Sequence, residues 1–176
     1  MIKAGRAGRA GRAGKAGRRV GWWALIAAAL CTFASPVRAQ AAPTKPTTLK
    51  YDSVNAVIAA LMPAAQKENV KNIAFSAQGT ELRMDADVRL SAVPGMEMMA
   101  ALGLAKMTGV GPVSLASPGI VGWKIRTIEV GGVPLAESIW GPQVRKATKR
   151  NDNVVPVPVG SWVKGVEVTP IGLRLF

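Results

Sequence analysis

The chain contains no histidine, and its single cysteine, Cys31, lies in an apolar run near the N-terminus. Without histidine, Ser-His-Asp triads, Cys-His nucleophile pairs and the common zinc sites are excluded. Beyond the N-terminal run no cysteine remains to form a disulfide. The hydrophobic core alone must therefore hold the fold together.

Other catalytic motifs are missing as well. No Gly-x-Ser-x-Gly elbow, phosphate loop or dinucleotide fingerprint occurs in the sequence. Asp85 and Asp87 lie one pleat apart beside Arg83 and Arg89, a pattern that a charge-alternating surface explains. We therefore expect no enzyme, no cofactor and no metal, with catalysis by carboxylates alone as a weaker alternative.

Residues 1–41 have the three parts of an export signal. A basic tract extends to Arg19, an apolar run follows over 20–33, and small residues allow cleavage after Ala39 or Ala41. The run is short for a bilayer span, so we expect an exported protein of the bacterial periplasm or cell envelope. The general and twin-arginine export routes both remain open, the latter because of Arg18-Arg19.

The net charge of +13 suggests nucleic-acid binding only until the export signal is set aside. Eight of the 23 basic residues precede residue 40, whereas all ten acidic residues follow it. The Ala-Gly-Arg repeat of 4–17 suits an RNA-binding tail less well than the basic part of a signal. No nucleic-acid partner is expected.

The remaining chain divides into a flexible, proline-containing tether over 42–50 and a single domain over 51–176. Apolar residues at helical spacing predict a helix from Val54 to Met62. Strict alternation of apolar and charged residues over 81–90 predicts a strand that is wet on one face. Gln78-Gly79 should turn the preceding strand into a hairpin with it.

A second helix is expected after Pro134, with Gly141-Pro142 bending or dividing it. Its far end is basic. The predicted fold class is therefore α+β, with a curved antiparallel sheet packed around one long, interrupted helix, plus an N-terminal helix.

The candidate binding residues are apolar. Four of the seven methionines lie between residues 94 and 109, and unbranched thioethers adapt to ligands of irregular shape. The candidates for an apolar ligand site are Met96, Met98, Met99, Leu102, Leu104, Met107, Trp123 and Trp140. Ordinary core packing is the alternative interpretation of the same residues.

The basic cluster of Arg145, Lys146, Lys149 and Arg150 is the candidate contact with an anionic membrane surface. A structural interpretation also exists, because cations at a helix C-terminus complement the carbonyl end of the helix.

The stretch from Gly119 to Leu135 and the segment from Val166 to Leu173 resemble the C-terminal part of small bacterial envelope proteins with a tubular lipid-binding, BPI-like half-domain. The resemblance implies a sheet curled around a helix and an apolar tunnel for acyl chains. It supports non-catalytic binding of a lipid or another apolar molecule. The alternative is a module that binds another envelope protein through the same apolar segment and needs no cavity.

Overall fold

The computed structural model describes residues 46–61, 68–93 and 96–176, and the predicted export signal at 1–41 lies outside these ranges. Two α-helices, two short 3-10 helices and eleven strands occupy the described ranges. The helices are α1 (Tyr51–Leu61) and α2 (Glu137–Thr148), and the 3-10 helices are Leu90–Ala92 and Glu97–Leu102. The strands are β1 (Thr47–Lys50), β2 (Val70–Gln78), β3 (Glu81–Arg89), β4 (Leu104–Gly111), β5 (Val113–Ser117), β6 (Ile120–Lys124), β7 (Thr127–Val130), β8 (Val133–Pro134), β9 (Val154–Pro158), β10 (Val166–Thr169) and β11 (Gly172–Leu175).

The strands form three antiparallel sheets. Sheet A has the order β1-β11-β10, sheet B the order β2-β3-β4-β7-β8, and sheet C the order β5-β6-β9. Pro156 and Pro158 lie in β9, an edge strand of sheet C. An edge strand accommodates them because proline cannot donate to a ladder hydrogen bond.

The alternation of apolar and charged residues in β3 gives sheet B one buried face and one face in contact with water. Its even-numbered residues from Leu82 to Val88 are buried, while the charged residues between them are only partly covered. The predicted one-sided strand is therefore confirmed. The predicted hairpin is confirmed too: Gln78 pairs with Glu81 across a two-residue turn in which Gly79 has φ +62°. Positive φ at the first turn residue is typical of a type II′ turn.

A bent hairpin joins sheet B to sheet C. Strand β4 continues into β5 past Pro112, and β6 continues into β7 past Ile125 and Arg126. At the bend the amide of Lys124 donates to the Pro112 carbonyl, and that of Arg126 donates to the Val110 carbonyl, both at 2.9 Å. Between the pairs Val110–Thr127 and Val113–Trp123, the segment that joins β6 to β7 has one more residue than the segment that joins β4 to β5. The extra residue bends the β6–β7 segment as a β-bulge does.

Helix α1 covers the outer edge of sheet B. The side-chain oxygen of Asn55 accepts a hydrogen bond from the Phe75 amide of β2 at 2.8 Å. This bond satisfies an edge amide that would otherwise be open to pairing with another chain. The predicted N-terminal helix is thus confirmed, although Met62 lies outside the described residues.

The predicted fold class is wrong. Both helices are short, with 11 and 12 residues, and no helix in the described ranges occupies the centre of a curled sheet. Strand residues fill the interior instead, since Met84, Met107 and Trp123 are fully buried. Helix α2 lies at the side, where its buried residues are Trp140, Gly141 and Val144.

Two local predictions are also corrected. Helix α2 begins at Glu137 and continues through Gly141-Pro142, so the predicted interruption does not divide it. Pro142 has no backbone N–H to donate to the preceding helical turn. The burial of Trp140 and Val144 on either side of it stabilises the helix at this point. The predicted tether over 42–50 is too long, because residues 47–50 form β1 and pair with β11.

Candidate functional site

Three of the predicted apolar site residues belong to the packed core. Met107, Trp123 and Trp140 are at most 3% exposed. The Trp123 ring packs edge-to-face on Phe75 with a centroid separation of 5.9 Å, and its Nε1 donates to the Gly111 carbonyl at 3.2 Å. Trp140 Nε1 donates to the Leu135 carbonyl at the same distance. Both indole donors are satisfied internally, as expected of structural tryptophans.

Three other predicted residues lie on the surface. Met98 is 99% exposed, Leu102 67% and Leu104 45%. We call these three residues the apolar patch. Met96 is half-buried against the core, and the side chain of Met99 lies outside the described part of the chain. The structure therefore separates the predicted ligand site into core residues and a surface patch.

Local geometry explains why Leu104 is exposed. The Leu90 amide donates to the Gly103 carbonyl at 2.9 Å, and Gly103 has φ +75°. This turn ends the 3-10 helix and starts β4, in which Leu104 lies opposite Arg89 on the outer face of sheet B. Strand β7 pairs with β4 only from Met107 onward, so it does not cover Leu104.

The rest of the outer face of sheet B is polar, and its central carboxylate is engaged. Asp85 accepts two hydrogen bonds from Arg83, at 2.8 and 2.9 Å, and one from the Thr108 hydroxyl at 2.7 Å. Lys106 Nζ lies 3.9 Å away. The bond from Arg83 is the main reason that the pKa of Asp85 lies below its ordinary value. Asp85 is therefore held as a carboxylate in an ion-pair network.

The neighbouring carboxylates have partners too. Asp87 accepts a hydrogen bond from the side-chain amide of Asn72 at 2.7 Å, and Glu81 accepts one from the Arg126 guanidinium at 2.7 Å. Asn72 lies in a bulge of β2 with φ +51°, which brings its side chain to β3. Among the described residues, no group of three or more acidic side chains is arranged to hold a metal ion.

The predicted basic cluster is partly neutralised. Arg150 forms a bidentate pair with Asp152 at 2.8 and 3.0 Å. Arg145 donates to the Asn153 side chain at 2.9 Å and lies 3.8 Å from Glu137. Lys146 and Lys149 are exposed, so contact of this cluster with an anionic surface depends mainly on them.

A small apolar pocket lies where the three sheets meet α1. Its cavity volume is about 30 Å³. The lining side chains come from seven elements of the fold: Leu49, Tyr51, Val54, Phe75, Leu82, Trp123, Val157 and Leu173. Of the predicted site residues, only Trp123 lines this pocket. The other seven lining residues were missed, because they are spread from β1 to β11 along the chain.

Tyr51 and Trp123 are the lining residues whose side chains carry a polar atom, and the indole of Trp123 donates to Gly111. Tyr51 is 6% exposed, and its hydroxyl has no hydrogen-bond partner within the described ranges. Desolvation raises the pKa of this phenol above its ordinary value. Its sequence signal is that of a single tyrosine, the only one in the chain, at the start of an amphipathic helix.

Comparisons of the chain with models of known protein families, with curated proteins and with solved structures found no match. The resemblance to BPI-like half-domains is not tested by them and stays a prediction. Within the described residues, neither helix is long and apolar enough to cross a membrane.

Proposed function

We propose that this chain is an exported, non-catalytic interaction module that docks on a partner protein of the cell envelope through the apolar patch. The observation that carries the proposal is the almost complete exposure of Met98 and the exposure of Leu102, both on the 3-10 helix Glu97–Leu102. Exposed apolar side chains concentrated in one surface segment are typical of contact sites. The docked state would remove them from water.

The surroundings of the patch support docking over a chance exposure. The charged residues beyond Leu104 on the outer face are engaged in the Asp85 network. Val133, just after the β7–β8 turn, is 56% exposed. It lies at the same end of sheet B as Leu104, because the Gly131 amide at that turn donates to the Lys106 carbonyl. An apolar centre with a polar rim is the usual arrangement of a protein interface.

The predicted signal supports export. Expression of the full chain in a bacterium should yield a shortened protein in the periplasmic fraction. Its N-terminus should be Gln40 or Ala42, which N-terminal sequencing distinguishes. A full-length product retained in the cytoplasm would contradict the export part of the proposal.

Docking is tested by cross-linking in cells with a photoreactive amino acid at position 98, and at exposed position 171 as a matched control. Ile171 is 65% exposed at the tip of the β10–β11 hairpin of sheet A, whereas the patch adjoins β4 of sheet B. We expect one discrete protein adduct from position 98 and none from 171. Leu102→Ser should remove that adduct, since a buried leucine contributes about 1.5–3 kcal/mol. Equal adducts from both positions would refute the proposal.

A second candidate function is non-catalytic binding of a lipid or another apolar molecule, which the sequence predicted and the apolar pocket favours. The cavity of about 30 Å³ accepts a small apolar group; a whole acyl chain requires the pocket to widen. Binding to anionic vesicles that is lost in a Lys146→Ala, Lys149→Ala variant would favour membrane contact by the basic cluster instead.

A further inference from the structure

Met98 differs from the other described methionines in its access to solvent. It is 99% exposed, whereas Met84 and Met107 are fully buried and Met96 is half-buried against the core. Peroxides oxidise a methionine thioether to the sulfoxide, and an exposed sulfur is the more susceptible one. Among the described methionines, Met98 is therefore the one that a dissolved oxidant reaches first.

Other oxidisable groups compete little with Met98. Beyond the predicted export signal the sequence has no cysteine, so thioethers are the only sulfur groups of residues 42–176. The indoles of Trp123 and Trp140 are buried, and both donate hydrogen bonds internally. Among the described side chains, oxidation should therefore begin at Met98.

Met98 also belongs to the surface through which docking is proposed. It lies with Leu102 on the 3-10 helix Glu97–Leu102, and Leu104 begins β4 directly after the turn at Gly103. Oxidation makes this flexible apolar side chain polar. Burial of a polar group without a hydrogen-bond partner is unfavourable, so the sulfoxide form should dock more weakly than the thioether form.

We propose that Met98 is a redox modification site, at which a hydroperoxide converts the thioether to the sulfoxide and thereby weakens docking through the apolar patch. The docking part of this inference rests on the proposed function. The loss of one buried methionine side chain from the interface corresponds to about tenfold or more in affinity. Enzymatic reduction of the sulfoxide would restore the apolar side chain, so the change is reversible.

The oxidation step balances with hydrogen peroxide as the oxidant. A lone pair of the Met98 sulfur attacks one peroxide oxygen, an S–O bond forms and the O–O bond breaks. The sulfur gives up two electrons, and the leaving hydroxide takes the proton of the transferred oxygen. The products are the sulfoxide and one molecule of water.

The modification is tested without a partner, on the protein purified from bacteria that express the full chain. Peptide mass spectrometry after graded hydrogen peroxide treatment measures the sulfoxide at each methionine. We expect Met98 to react at least about tenfold faster than Met84 and Met107, because buried thioethers react only when the structure opens. In urea the three rates should become similar. Equal rates at the three positions in the folded protein would overturn the modification site.

The effect on docking is tested by cross-linking in cells from a photoreactive amino acid at position 104, with and without hydrogen peroxide. Each variant is compared with itself. The wild-type adduct should fall about tenfold or more after treatment. In Met98→Leu, which cannot form a sulfoxide, treatment should leave the adduct at that variant's own untreated level. Met98→Gln places a polar amide at a similar length and should give little adduct under both conditions.

The outcomes separate this inference from the proposed function. An adduct that falls equally in wild type and Met98→Leu would overturn the inference, because the loss would then arise at another residue or on the partner. An adduct that persists after Met98 is oxidised would also overturn it, while docking stands. The absence of an adduct in untreated wild type would refute docking and the docking part of the inference together. Sulfoxide formation at Met98 is decided by the purified protein alone.

Discussion

Asn55 shows how one side chain protects an edge of the fold. Its oxygen accepts the Phe75 amide at 2.8 Å, and that amide faces away from β3. We expect Asn55→Ala to lower the free energy of unfolding by about 1–3 kcal/mol, because a partly buried amide loses its acceptor. Urea denaturation measures the change.

Two substitutions serve as controls, one at position 55 itself and one at another position of α1. Asn55→Asp keeps an acceptor oxygen and should retain most of the stability. Ser53→Ala changes an exposed residue of α1 and should change the free energy of unfolding by less than about 0.5 kcal/mol. Equal losses in Asn55→Ala and Asn55→Asp would contradict the role of the hydrogen bond.

Asp85 makes stability depend on pH. The hydrogen bonds from Arg83 lower its pKa in the folded state, so the carboxylate stabilises the fold above the unfolded pKa of about 3.9. This contribution is lost as the pH falls through the lower, folded pKa. We expect Asp85→Asn to be less stable than wild type at pH 7, by about 1 kcal/mol because Arg83 is partly exposed.

The difference between Asp85→Asn and wild type should shrink when unfolding is measured at successively lower pH. At a pH below both pKa values the wild-type carboxyl is neutral, as the amide always is. A difference that stays constant from pH 7 to pH 2 would show that Asp85 acts through packing and not through its charge.

At the scale of elements, the bend between sheets B and C depends on Gly111. A Cβ atom at this position would overlap the Lys124 carbonyl oxygen. The segment that contains Lys124 is held in place because the Lys124 and Arg126 amides donate to the Pro112 and Val110 carbonyls. We expect Gly111→Ala to cost about 1–3 kcal/mol or more in urea denaturation. Gly109→Ala is the control on the same strand, because its Cβ would meet Trp123 at an ordinary 3.4 Å. Equal losses would argue against a special role for the bend.

The elements that the sequence predicted well are those with a complete local signal. Strand β3 alternates over its whole length, and Gly79 marks its turn. Helix α2 shows the limit of such signals. Pro142 predicts an interruption from local sterics, but the burial of Trp140 and Val144, which keeps the helix continuous, depends on distant neighbours.

The methionine-rich segment shows the same limit for function. Met98 is exposed and Met107 is fully buried, although both lie in one apolar stretch. Composition gives no means to separate them, because Met107 is buried by its register against Ala86 and Val130. The predicted ligand site therefore combined residues that pack in the core with residues of the surface.

At the scale of the whole molecule, the interior is assembled from residues far apart in sequence. Leu49 and Leu173 meet in the pocket only because β1 pairs with β11, and Trp123 reaches it through the bent hairpin. A periodic pattern specifies which face of an element is apolar, but not which other element covers it. The predicted long central helix was wrong for this reason.

The small void at the junction of the sheets gives the last prediction. Val54 of α1 lines the pocket, whereas Val144 of α2 is fully buried and does not. Val54→Ile adds one methylene next to the void and should raise the free energy of unfolding by about 0.8 kcal/mol. Val144→Ile adds the same group at a fully buried position outside the pocket and should lower it by about 1–3 kcal/mol. Because both changes are valine to isoleucine in a helix, propensity cancels, and opposite signs in urea denaturation isolate the space at position 54. Destabilisation by both would mean that the three sheets already close on each other around Tyr51.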